Sequence, residues 1–312
     1  MKKSIPTKVA KVLEYKPPSI DYKTQKSVSF SQFSQYSTCK HQWALNYVHS
    51  LQEYSPSIHT VFGTAFHETV QSWLQVLYNK TIKKAEELDL DQILLEQMRS
   101  VYKKEKGNIN NKDFTTADEM KEFYQDGRAI LKHLASKRGL YFSKKGVYLA
   151  GIEVPLVVEL RENVYFKGFI DIVLYDQDLD KFTLIDLKTS TRGWNSYQKK
   201  DEIKTSQLLL YKHFFSQTFE VPLSNIDVEF MVVRRKLNED LEFVPKRVQR
   251  VSPASGKIKM GKITSLLNEF VQNVFDEQGS YIDKAYTPNP SKSTCMFCPF
   301  KKNKNLCKVS VS

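Results

Sequence analysis

Apolar residues along this chain follow two periods, and the switch between them sets the predicted order of elements. From Ser29 to Val48 aromatics return every three to four residues, which predicts one helix entered through a serine cap and carrying Cys39 towards its middle. After a loop at Tyr54 to Thr60, Gly63 is expected to open a second helix, Thr64 to Tyr78, with Phe66, Val70, Trp73, Leu74 and Leu77 on its apolar face. The charged stretch from Thr81 to Arg138 reads as a helical insertion, with a loop around Gly107 to Lys112 and a helix from Thr115 to Lys137. Aromatic and β-branched runs then predict strands at Val147 to Leu160, Asn163 to Asp176 and Phe182 to Lys188. A helix near Thr205 to Phe219 and a strand at Ile226 to Arg234 complete a β-β-β-α-β order, and a helix from about Lys262 to Gln278 follows. The Pro17-Pro18 pair marks the first twenty-odd residues as an arm outside the core.

The second and third of those strands, separated by the polar Gln177 to Lys181, read as a hairpin. Antiparallel neighbours place residues equidistant from the turn opposite each other, which brings Asp171 towards Asp186. Lys188 lies two residues beyond Asp186 and so shares its face of the strand. Two carboxylates can hold a divalent cation, and an ammonium beside it suits phosphodiester chemistry. A D-x-K triplet alone is common by chance, so its company matters. His67 lies one position off the apolar stripe of its helix, where a solvated or structurally bonded histidine is the ordinary occupant. Gln207 and Tyr211 are four apart and share a helix face, suited either to holding a phosphate or base or to simple burial of the tyrosine.

Composition narrows the partners. The chain has 312 residues with a formal charge of +12, and a basic surface attracts polyanions, nucleic acid first. Its 41% hydrophobic content argues against disorder. The N-terminal MKKSIPTKVAKVLEYKPPS lacks the apolar stretch of about 7–15 residues of a secretory signal. No run of about 20 apolar residues suits a membrane span, so a cytoplasmic location is expected, or the host-cell cytoplasm if the protein is phage-encoded, with no membrane partner. No G-x-x-x-x-G-K-[ST] phosphate loop is present, so the chain carries no motor of that type.

Cys39 stands alone near the start, while Cys295, Cys298 and Cys307 cluster near the end. In a reducing compartment a C-x2-C pair with a third cysteine can wrap thiolates round one metal, and Cys39 would complete the set. Such a site would clasp the two ends of the chain together. Its ligands suit an iron-sulfur cluster or a structural zinc.

Taken in order, Gly63-Thr64-Ala65-Phe66-His67, Gly168-Phe169-Ile170-Asp171, Asp186-Leu187-Lys188 and Gln207-Leu208-Leu209-Leu210-Tyr211 resemble the motifs of the RecB-like branch of the PD-(D/E)XK nuclease superfamily. The one-plus-three cysteine set is similar to that of its iron-sulfur members, the CRISPR-associated RecB-like exonucleases and the AddB nuclease domain. The resemblance covers Ser29 to Cys307. It implies an α/β, restriction-endonuclease-like core with a mixed central sheet flanked by helices, a helical insertion, and terminal segments clasped by a metal cluster. The organisation expected is an arm at 1–26 and one nuclease domain at 27–312, with the insertion at 79–140, the catalytic core at 147–235 and the cysteine-bearing tail at 285–312.

Residue by residue, the resemblance implies that His67, Asp171, Asp186 and the Leu187 carbonyl ligate Mg2+ or Mn2+. It implies that Lys188 orients water or stabilises phosphate charge and that Gln207 and Tyr211 position substrate. Glu153 matches a less regular acidic position. The cofactors implied are Mg2+ or Mn2+ and a 4Fe-4S cluster, with zinc as the alternative. Ile170 stands where the proline that names the superfamily would be, a replacement common in this branch, and the eight residues between Cys298 and Cys307 exceed the usual cluster spacing. The expected activity is a metal-dependent DNA nuclease, an exonuclease on single-stranded or end-processed DNA in recombination, repair or replication. DNA is the expected partner, with a helicase or recombination protein as a second. The competing readings are a non-catalytic DNA-binding or assembly protein on the same fold, and an RNA-directed nuclease.

Overall fold

The computed structural model describes residues 5–142, 144–238, 242 and 244–311. The helix α1 (Thr7–Leu13) and strand β1 (Lys26–Val28) precede α2 (Phe30–Thr38), α3 (Lys40–Tyr47) and α4 (Ile58–Asn79). Four helices follow: α5 (Ile82–Glu86), α6 (Leu90–Asn108), α7 (Ala117–Ser136) and α8 (Arg138–Tyr141). Then come β2 (Val147–Arg161), β3 (Val164–Asp176), β4 (Lys181–Ser190), α9 (Ser196–Lys200) and α10 (Glu202–Phe219). A 3-10 turn at Leu223–Asn225 leads into β5 (Ile226–Arg234), β6 (Val248–Val251), α11 (Lys257–Val274) and α12 (Lys292–Cys295).

The strands make one mixed six-stranded sheet flanked by helices, the α/β core with a mixed central sheet that was expected. The hairpins β2–β3 and β3–β4 are antiparallel, as is β5–β6. Strands β4 and β5 are parallel, and α10 supplies the crossover that parallel neighbours need. One face of the sheet packs against α2, α3, α10 and α11, around Phe33, Trp43, Leu209 and Phe270. The other packs against α4, α6 and α7, through residues such as Phe62, Leu94 and Ile130.

The position of β1 shapes everything downstream. Strand β2 occupies one edge of β3 along its length, so β1 and β4 must share the other. On that edge β1 pairs with Val164 to Phe166, and β4 pairs with Ile172 to Asp176. Among the described residues, 167–171 between them have no strand neighbour there, which leaves a gap in the sheet.

The described elements correct several expectations. The single helix from Ser29 to Val48 is two, broken at Cys39, whose backbone is extended at φ −155° and ψ 106°. The Ser37 and Thr38 hydroxyls bond back to the carbonyls of Phe33 and Ser34, 2.8 Å each, a contact that bends helices just where this one stops. Helix α4 starts at Ile58, because a reciprocal cap between Ser57 and Thr60 nucleates it before Gly63, which sits inside the helix. The N-terminal arm is not outside the core: Val9 and Val12 of α1 are buried in it, while the arm's first four residues lie outside the described residues. Strands β1 and β6 went unforeseen, since three or four residues are too few to show an alternation.

Candidate active site

The gap in the sheet is where the candidate residues gather. Asp171 lies one step beyond the Ile172–Ile185 pair and so faces Asp186, as hairpin symmetry predicts. Helix α4 reaches over the gap and brings His67 Nδ1 to 3.5 Å from Asp171 Oδ2. From the next strand, Glu153 joins them. Among the described residues His67, Glu153 and Asp171 form a group whose ligand atoms all lie within 4.8 Å of one another.

Glu153 reaches the group through an unusual backbone. Its φ is +49°, in the left-handed region a non-glycine residue enters only at a cost of roughly 1–3 kcal/mol. Gln71, buried and one turn beyond His67 on α4, donates from Nε2 to Glu153 Oε1 at 2.5 Å. Sequence reading missed Gln71; its spacing of four from His67 was the available signal.

Leu187 turns both backbone groups towards the gap. Its N–H donates to Asp171 Oδ2 at 2.7 Å, and its carbonyl acts on the His67 ring. Asp186 is buried on β4, with Lys188 Nζ 2.7 Å from its Oδ2. That contact is a close ion pair without the angle of a directed hydrogen bond, so Oδ2 is buried with no aligned donor. Asp186 stands outside the three-ligand group but is close enough to act on both Asp171 and His67.

Burial governs the charges. It pushes the Asp171 and Asp186 carboxyls up to about 6, against the opposing pull of Lys188 on each. Burial likewise lowers His67, leaving its imidazole neutral and free to bind a metal. For Lys188 burial acts downward, but Asp186 and Asp171 outweigh it and hold the ammonium charged. Hard carboxylate oxygens, one imidazole and an orphaned buried oxygen are a donor set that fits Mg2+ or Mn2+.

On the opposite wall, Gln207 Nε2 donates to the Tyr211 hydroxyl at 3.2 Å. Burial raises Tyr211 to about 12, with the nearby Asp186 and Asp171 adding to the shift. Its ring lies against Gly168, where an added Cβ would come within 2.9 Å of Cε1. Glycine is needed there for the close approach.

The cysteines gather elsewhere. Cys39, Cys295, Cys298 and Cys307 all line one small cavity of about 20 Å3 between the α2–α3 break and the tail. His41 Nε2 lies 2.8 Å from the Leu306 carbonyl, and Asn289 Nδ2 donates to the Thr38 carbonyl at 3.0 Å. Among the described residues no three of these sulfurs belong to a group drawn within 4.8 Å.

A sequence profile of the PD-(D/E)XK nuclease superfamily matches residues 27–303. No curated protein matches the chain. Among solved structures, a Eubacterium rectale protein named as a proposed exonuclease is similar at 12% identity and a TM-score of 0.48, over 82% of this chain and 84% of that one. That likeness is too slight to carry an argument about activity.

The raised carboxyl pKa values give a sign for stability. A folded state that holds protons more tightly than the unfolded chain is favoured at low pH, and its advantage is lost as pH rises through about 6. In metal-free protein the contribution of each carboxyl should fall by about 1 kcal/mol per pH unit between about pH 4 and 6. Urea unfolding in EDTA should therefore show Asp186→Asn gaining on the native protein as pH rises; parallel pH profiles for the two would contradict the burial of a charged Asp186.

Proposed function

The chain belongs to the PD-(D/E)XK nuclease superfamily, and from that premise we propose a metal-dependent deoxyribonuclease of the RecB-like branch. In this reading it is an exonuclease that hydrolyses single-stranded or end-processed DNA in recombination, repair or replication. The observation that carries the reading is the convergence of His67, Glu153 and Asp171 in the sheet gap beside the Asp186–Lys188 pair. His67, Glu153, Asp171 and Asp186 would hold Mg2+ or Mn2+, with the Leu187 carbonyl beside them. When bound, the ion supplies Lewis acidity for the phosphate and for water.

The chain's own groups do the rest. Lys188, kept charged by Asp186, faces the negative charge that develops on the phosphate and orients the water that attacks it. Asp171 is held in place by the Leu187 amide, and Glu153 by Gln71. Gln207 and Tyr211 form the opposite wall and position the strand. The net charge of +12 supports a polyanionic substrate.

We read 27–312 as one nuclease domain, with 79–140 as its helical insertion, 147–235 as its core and 285–312 as its cysteine-bearing tail. A 4Fe-4S cluster on Cys39, Cys295, Cys298 and Cys307 is the proposed clasp. What supports it is the one cavity that all four cysteines line. No helix of the described residues is long and apolar enough to cross a membrane, and a reducing compartment such as the cytoplasm would keep the four thiols available. These 312 residues hold no G-x-x-x-x-G-K-[ST] phosphate loop, and a helicase or recombination protein is the proposed partner.

End-labelled linear DNA should be degraded with Mg2+ or Mn2+ and spared in EDTA, while a closed circular strand resists an exonuclease. Asp186→Asn and Lys188→Ala should each cost about a hundredfold or more in rate with the fold intact. Near-native cleavage by either would remove it from the mechanism. Anaerobic purification should yield a brown protein with about four iron and four sulfide per chain. Stoichiometric zinc without iron would overturn the cluster.

A further inference from the structure

Beside the metal-binding group, the sheet gap opens into a groove of about 370 Å3. Its walls come from β3 (Lys167, Gly168, Phe169), the start of α2 (Ser29, Ser31) and Tyr211 of α10. Lys167, Phe169 and Asp171 alternate along β3, so the three lie in a row, each one strand repeat of about 7 Å from the next. Phe169 is 44% exposed, which is unusual for an aromatic ring in the middle of the longest antiparallel pairing of the sheet.

Its neighbours explain what such a ring could serve. Lys167 Nζ sits 5.9 Å from the Phe169 centroid and 5.5 Å from that of Tyr22, itself 55% exposed. The ammonium donates to the Tyr22 hydroxyl at 2.9 Å, a neutral partner, and among the described residues no carboxylate forms an ion pair with it. A cation standing between two solvent-facing rings, at the lip of a groove leading to a phosphodiester-cleaving site, matches the two needs of an unpaired strand: a flat apolar face for a base and a positive charge for a phosphate. In a duplex every base face but those of the terminal pairs is already stacked, and two backbones together are too wide for a gap between strand ends.

We infer that Phe169, supported by Lys167 and Tyr22, is a base-stacking subsite that seats an unpaired DNA strand one nucleotide step from the metal centre and selects it over duplex. This deepens the nuclease reading and rests on it. Phe169 stacks the base, Lys167 holds the adjoining phosphate, and Tyr22 fixes the ammonium between the rings. The order along β3 then delivers the next phosphate towards Asp171.

The test uses the full-length protein in EDTA with oligonucleotides carrying 2-aminopurine, whose fluorescence is quenched on stacking. Native protein should quench the probe in a single strand and bind that strand at least about tenfold more tightly than a blunt duplex of the same sequence. Phe169→Ala should lose the quenching and weaken single-strand binding by about tenfold. Phe169→Leu, which keeps apolar bulk without a ring, should lose the quenching too, and Phe169→Trp should restore it. Unaltered quenching in Phe169→Ala or Phe169→Leu, or equal affinity for blunt duplex and single strand, would overturn the subsite. Cleavage by the native protein with Mn2+, run in parallel, separates the two claims. Stacking without cleavage leaves the subsite standing and removes the nuclease reading, whereas cleavage with ring-independent binding removes the subsite alone.

Discussion

Two carboxylates buried side by side, in a sheet that stops pairing to make room for them, are the constraint on which this molecule depends. Desolvating Asp171 and Asp186 is unfavourable, and the cost is expressed in carboxyls raised to about 6. One ammonium offsets part of it, and the Leu187 amide offsets a little more. The remainder is a site that gains free energy when a divalent cation enters. Breaking a buried pair by removing one partner is generally costlier than removing both, because the remaining charge is left uncompensated.

The surrounding fold holds that arrangement from several directions. The end of β1 at Val28 and the end of β4's pairing with β3 at Ile185 leave residues 167–171 open on one edge, so Asp171 can turn into a cleft instead of a ladder. Helix α4 spans one face of the sheet and contributes both His67 and Gln71, the second fixing Glu153 in its left-handed conformation. Helix α10 closes the other wall through Tyr211, which packs on a residue that has to be glycine. Farther away, Trp43 sits among Tyr36, Tyr47, Phe270, Tyr281 and Tyr286, binding the α2–α3 break to α11 and the tail. That aromatic packing carries the four cysteines to one cavity whether or not a cluster occupies it.

Much of this could be read from the sequence, for identifiable reasons. A hairpin has a symmetric register, so the facing of Asp171 and Asp186 followed from the position of the turn, and period two placed Lys188 beside Asp186. Strong alternation and amphipathic spacing gave β3, β4, β5, α7 and α10 to within a few residues. What failed was local competition that periodicity does not express. The hydroxyl bonds that end α2 and the Ser57–Thr60 cap that starts α4 early are side-chain effects on the backbone. Glu153 was the least regular of the expected acids, yet it stands within the ligand group because of a positive φ that no composition signals. The gap itself depends on a three-residue strand paired far along the chain, and so was invisible before the structure.

Anomalous diffraction from crystals soaked in Mn2+ reads out directly whether the interrupted sheet binds a metal. One strong peak should appear in the sheet gap, within about 2.2 Å of the Asp171 carboxylate, with His67 and Glu153 around it. A gap without manganese, or an ion bound only at surface carboxylates away from Asp171 and Asp186, would contradict the claim that the interrupted sheet exists to hold a metal against a nucleic-acid backbone.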